Sequence, residues 1–166
     1  MPEANMWMIV IPPEGAARVV ADHLADAYDA LNVPHAIFDM GRVLPGMRKM
    51  LKHPDEQMVI DWANEHLAVR TFDARATHVM VLALCRVSLF TLNIFRKHGI
   101  KTIHWFYEDF RRAHYWRQVL PGYDYFAAIQ HGPVEEACGN LDVNYSLINT
   151  ATALMSAPPA DSPEYD

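Results

Sequence analysis

No glycine-rich phosphate loop occurs in this chain. The first strand candidate runs into Pro12-Pro13-Glu14-Gly15-Ala16-Ala17-Arg18-Val19, where Gly15 is the only glycine. The dinucleotide fingerprint G-x-G-x-x-G needs several, because backbone has to approach a pyrophosphate. G-x-x-x-x-G-K-[ST] is also missing, which excludes a P-loop. G-x-S-x-G is missing and Ser88 has no elbow around it, which argues against an α/β-hydrolase. Neither H-E-x-x-H nor C-x-x-C is present. The nine histidines, His104, His114 and His131 among them, make no metal-binding spacing, so no metal is expected. There are only two cysteines, Cys85 and Cys138, again not at metal spacing. They read as buried, reduced thiols of a cytoplasmic protein. Basic charge is scarce as well. A net charge of -6 and a pI near 5.8 argue against nucleic acid or an anionic membrane as main partner. No apolar stretch approaches the ~20 residues of a membrane span. The first ten residues, MPEANMWMIV, lack a basic region and carry too short an apolar run for a signal peptide.

What is present is an ordinary globular composition, 51% hydrophobic and 20% charged over 166 residues, enough for one domain with a real core. Trp7 to Ile11 is continuously apolar, the pattern of a strand buried on both faces. Ala16 to Asn32 carries Val20, Leu24, Ala27 and Leu31 on one helical stripe. His35 to Met40 is a second strand candidate. Gly41 to Pro54 reads as an irregular solvated loop with a small basic cluster, Arg42, Arg48, Lys49 and Lys52. Asp39 stands where such folds often hold a ribose, but without the glycines it reads as an ordinary loop carboxylate. A helix follows, with Val59, Trp62, Ala63, His66 and Leu67 on one face. Thr77 to Cys85 is the clearest central strand. Ser88 to His98 reads as a helix stopped by Gly99. Thr102 to Tyr107 and Tyr123 to Ile129 are further strands, separated by a charged loop, a short helix and a break at Pro121-Gly122. Pro133 suits the first turn of a helix from Val134 to Leu141, and Val143 to Ile148 is a last strand.

The alternation of strands and helices predicts an α/β fold: a Rossmann-like three-layer domain with a mostly parallel sheet over residues 1–155. Residues 156–166, Pro-rich and aperiodic, read as a linker or tail.

Chemistry concentrates between Gly99 and Gln130. Ligands collect at the carboxyl ends of parallel strands, and Glu108, Asp109, Arg111 and Arg112 fall at such an end. A carboxylate there suits a general base toward an acceptor hydroxyl, and the arginines suit an anionic group. The competing structural reading is that Glu108 or Asp109 caps the next helix and pairs with the arginines. Adjacent residues on an extended chain also point opposite ways. Tyr115, Trp116 and Tyr123 either stack on a sugar or base or pack against a neighbouring helix. His131, after the next strand, is a second base candidate.

Trp105 to Gln130, W-F-Y-E-D-F-R-R-A-H-Y-W-R-Q-V-L-P-G-Y-D-Y-F-A-A-I-Q, resembles the N-terminal domain of the spore-maturation CgeB-like glycosyltransferases. In that family a strand ends in Trp-x-x-Glu/Asp-Asp, followed by a YW-R segment and a P-x-Y-D-Y-F-x-x-I-Q strand. The resemblance implies one half of a GT-B fold, whose acceptor-side domain faces a C-terminal domain that binds a nucleotide-sugar donor. It implies no cofactor bound by this domain, a glycan or other hydroxyl acceptor as partner, and inactivity without the donor-binding domain. Catalytic candidates are then Asp109, Glu108 and His131. Substrate-binding candidates are Arg111, Arg112, Trp105, Tyr115 and Glu14. The sequence departs from the family at Ser146-Leu147-Ile148-Asn149-Thr150-Ala151, where a Leu-Pro-like segment is expected. The chain ends at Asp166, where the resemblance places the start of the donor domain. The alternative is a non-catalytic Rossmann-like binding module, in which exposed Trp105, Tyr115 and Trp116 form an interaction patch.

Overall fold

The computed structural model describes residues 5–13, 15–51 and 55–149. Glu14 and the tail 156–166 therefore lie outside the described residues. The strands are β1 (Trp7–Ile11), β2 (His35–Asp39), β3 (His78–Leu82), β4 (Lys101–Phe106), β5 (Tyr125–Ala128) and β6 (Asn144–Leu147). The helices are α1 (Ala16–Ala30), α2 (Met40–Met50), α3 (Glu56–Asp73), α4 (Leu89–Lys97), α5 (Trp116–Val119) and α6 (Pro133–Asn140), with a 3-10 turn at Leu120–Gly122. The strands form one sheet in the order β2-β1-β3-β4-β5-β6, and every pairing is parallel. The fold is the expected α/β, Rossmann-like three-layer domain. Its strand order is that of the flavodoxin-like variant of doubly wound sheets, extended by one strand.

Two apolar clusters lie on opposite faces of the sheet. Met8 and Val10 of β1, Val79 and Val81 of β3, and Phe106 and Phe126 join α2, α3, α4, α5 and α6 in the larger one. Ile9, Ile11, Leu82 and Trp105 join α1 in the smaller. Alternate residues of each strand thus serve opposite layers, which is why β1 and β3 read as unbroken apolar runs. Among the described residues α1 is the only helix of the second layer.

The helix ends follow local chemistry. Ser88 caps α4 by accepting from the Thr91 amide at 3.1 Å. Gly99, at φ 73°, ends that helix in the left-handed region that glycine tolerates. Pro133 opens α6, where its missing N–H is no loss.

Residues 41–50 correct the expectation of an irregular loop. They continue a helix that starts at Met40, with Asp39 as its cap accepting from the Gly41 amide at 2.8 Å. Gly41, Pro45 and Gly46 obscure an apolar stripe of Met40, Val43, Leu44 and Met47, which packs on the larger cluster. Gly41 has a tertiary reason. A Cβ there would lie 2.8 Å from the Pro13 carbonyl oxygen, so glycine lets α2 press against the loop after β1. β3 also ends earlier than expected. Ala83 takes φ 46°, and the Cys85 amide bonds the Leu82 carbonyl at 3.1 Å, turning the chain off the sheet.

Candidate functional site

The chain leaves β1 toward β2 on one side and reaches β3 on the other. The β1/β3 junction is therefore the topological switch point, where open α/β sheets bind ligands outside the strands' carboxyl ends. A cleft of about 540 Å³ opens there. Its floor and walls come from Pro12 and Pro13 after β1, Leu84 to Arg86 after β3, Met40 and Leu44 of α2, and Ile60 and Ala63 of α3. Glu108, after β4, lines it from the third strand.

The walls are held by specific bonds. Asn64 of α3 is buried, and its amide donates to the carbonyls of Ile60 (2.8 Å) and Arg86 (3.1 Å) while its oxygen accepts from the Ser88 amide at 2.7 Å. That side chain fixes the loop after β3. The Tyr107 hydroxyl donates to the Ala17 carbonyl at 2.8 Å and ties the start of α1 to the end of β4. The Tyr115 hydroxyl donates to the Ala83 carbonyl at 2.7 Å, and the Arg86 guanidinium lies 5.7 Å from the centre of the Tyr115 ring. Replacing Asn64 by leucine keeps the branched heavy-atom shape but strands the Ser88 N–H and the Arg86 carbonyl. We expect a loss of about 1–3 kcal/mol in urea denaturation, with faster amide hydrogen exchange concentrated at residues 86–88.

The residues expected at the site separate. Glu108 is half-buried in the cleft wall, with no hydrogen bond or ion pair among the described residues. Asp109 is turned back on its own loop. Its carboxylate accepts from the Arg111 amide at 2.9 Å and from two guanidinium nitrogens of Arg111, the closest at 2.7 Å. That pairing holds the Asp109 carboxyl at about 2. A base so weak is poorly suited to take a proton at neutral pH. Arg111 is occupied by the same pair, and Arg112 is exposed, its amide bonded to the Asp109 carbonyl. His131 is exposed beyond β5 with Nδ1 3.0 Å from Glu135, and is not part of the cleft lining. Trp105 is buried on the α1 side of the sheet, with Nε1 donating to the Ile148 carbonyl at 3.5 Å. Tyr115 backs the cleft through Arg86 without lining it.

The exposed aromatic patch of the binding-module reading is corrected. Trp105 is 7% exposed and Trp116 0%, and Tyr115 is half-buried, because all three fill the two cores. Asp39 is structural, capping α2 and pairing with Arg18 at 3.1 Å and Arg42 at 3.4 Å. Both cysteines are buried and unpaired. Burial pushes the Cys85 thiol far up, so at the cleft floor it acts as a small apolar group.

No family model, curated protein or solved structure matches this chain. No group of three or more His, Cys, Asp or Glu among the described residues is arranged to hold a metal ion. No described helix is long and apolar enough to cross a membrane. Leu84, Arg86, Leu44 and Ile60 escaped the sequence reading. The strand-end rule that singled out Glu108 applies equally after β1 and β3, but which strand ends meet depends on strand order.

Proposed function

We propose that this chain is the acceptor-side domain of a GT-B-type glycosyltransferase, with the acceptor hydroxyl held in the switch-point cleft. The observation that carries the reading is Glu108, a carboxylate without a charged partner among the described residues, lining a cleft of ligand size. In transfer, Glu108 takes the proton of the acceptor hydroxyl. The acceptor oxygen bonds to the sugar's anomeric carbon, and the nucleotide diphosphate leaves with the electrons of the broken C–O bond. The donor nucleotide is assigned to a separate donor-binding domain, since this chain has no phosphate loop. The resemblance of Trp105 to Gln130 to CgeB-like enzymes supports the same reading.

The test is an assay of the complete natural polypeptide containing these residues against a panel of nucleotide sugars and hydroxyl acceptors. Transfer, or hydrolysis of one donor, is expected. Absence of both across the panel sinks the transferase reading. The second reading, a non-catalytic binding module, would then lead. It has one observation on its side: the Asp109 carboxylate, next to Glu108 in the chain, is held by Arg111 and does not line the cleft.

A further inference from the structure

The walls of the cleft bear on what kind of acceptor enters it. Pro12, Pro13, Met40, Leu44, Ile60 and Leu84 face it, and among the described residues no aromatic ring does. Saccharides are held by polar side chains that replace the water on their hydroxyls and by rings that stack on their C–H faces. This cleft has neither in quantity. Of the three charged groups that line it among the described residues, Glu56 is committed to Arg48 through contacts of 2.8 and 3.0 Å. Arg86 lies over the Tyr115 ring. Glu108 alone is a carboxylate with no partner among the described residues.

A sugar in this space would bury hydroxyls against aliphatic walls without partners, and each would cost affinity. An aliphatic body would release water from those walls at no such cost. The volume, about 540 Å³, lies within the usual ligand range of roughly 300–1,000 Å³. Resting on the acceptor reading above, we infer that the cleft takes an apolar-bodied alcohol, its aliphatic part between α2 and α3 and its hydroxyl donated to Glu108. A carboxylate with no partner among the described residues complements a hydroxyl donor.

The test titrates the full 166-residue chain with 1-octanol, and separately with maltotriose, followed by methyl and amide NMR. Saturable shifts with octanol are expected at the methyls of Leu44, Ile60 and Leu84, with none from maltotriose. Leu84→Asp is the control. Leu84 is 46% exposed, so an aspartate there is compatible with folding. It should weaken octanol binding about tenfold or more, with an unchanged far-UV CD spectrum.

Saturable maltotriose binding at the cleft without octanol binding overturns the inference and leaves the acceptor reading standing. The inference is also overturned if neither probe saturates, or if octanol shifts scatter over the surface and survive Leu84→Asp. Octanol binding at the cleft, together with no transfer by the complete polypeptide, removes the transferase reading and leaves the ligand class in place.

Discussion

Replacing His104 by leucine should make the protein more stable and flatten its response to acid. His104 lies on β4, fully buried, with its ring stacked on Tyr123 at 5.0 Å between centres and tilted against Phe126 at 4.9 Å. Phe106 and Tyr115 close the surround at 5.6 and 6.5 Å. Among the described residues neither ring nitrogen has a hydrogen-bond partner, and the buried Tyr123 hydroxyl has none either. Burial pulls the imidazole down to about 3 from 6.5, and the nearby Val81 backbone offsets this only in part.

The sign of the effect follows from that depression. Above pH 6.5 the ring is neutral in both folded and unfolded chains and the contribution is constant. As pH falls below 6.5 the unfolded chain takes up a proton that the folded one refuses. Stability then drops by ~1.4 kcal/mol per pH unit until the folded group titrates. Between pH 6.5 and 5 the loss from this residue is about 2 kcal/mol, a large part of a typical domain's stability of roughly 5–15 kcal/mol. The only other titratable groups on the rings around it, the Tyr115 and Tyr123 hydroxyls, are pushed upward by burial and stay neutral throughout. His104→Leu removes both the titration and the unpaired nitrogens, so a gain of about 1–3 kcal/mol at neutral pH is expected. Urea denaturation of the two proteins at pH 7.5, 6 and 5 measures it. Parallel pH profiles would show that the native ring has a partner that lets it ionise.

That buried histidine shows where reading from sequence stops. Thr102 to Tyr107 is legible as a strand because its apolar run and its flanks are local properties. The partner of each side chain is not local. Thr102 is satisfied from β5, its amide and hydroxyl donating to Asp124 at 2.9 and 3.0 Å, while His104 two residues on is left among rings. The helix start near Ser88, the place of Pro133 in a first turn and the stop at Gly99 were legible for the same local reason. α2 was hidden because Gly41 and Pro45 are normally breakers. Gly41 is required by the loop it presses against, and Pro45 stands in the middle of the helix, where the one backbone bond it removes is outweighed by the Met40, Val43, Leu44 and Met47 face. The cleft was half legible. Glu108 marks the end of β4, but the walls belong to β1, β3, α2 and α3, which meet only because β3 lies beside β1. The Asp109–Arg111 pair shows the reverse case, two residues with the right chemistry for a site that spend it on each other.

The same contrast between neighbours sets the second large effect. On the transferase reading proposed above, Glu108→Gln in the complete polypeptide should lower kcat for sugar transfer by about 10²–10⁴-fold, the usual contribution of a positioned base. KM for the acceptor should move far less, since glutamine keeps the size and the hydrogen-bonding carbonyl of the side chain. Asp109→Asn should leave kcat within a few-fold, because the Arg111 guanidinium already masks that carboxylate. Its cost falls on the loop, where a charged, two-oxygen acceptor for Arg111 is replaced by a neutral one. The pair of variants separates two roles that the adjacent positions of Glu108 and Asp109 would otherwise confuse. Loss of turnover in Asp109→Asn with Glu108→Gln still active would reverse the assignment. It would mean that the Arg111 pair opens when acceptor binds, so that Asp109 turns into the cleft. Equal and small effects from both would remove general-base chemistry from this loop, leaving Glu108 as a ligand contact alone.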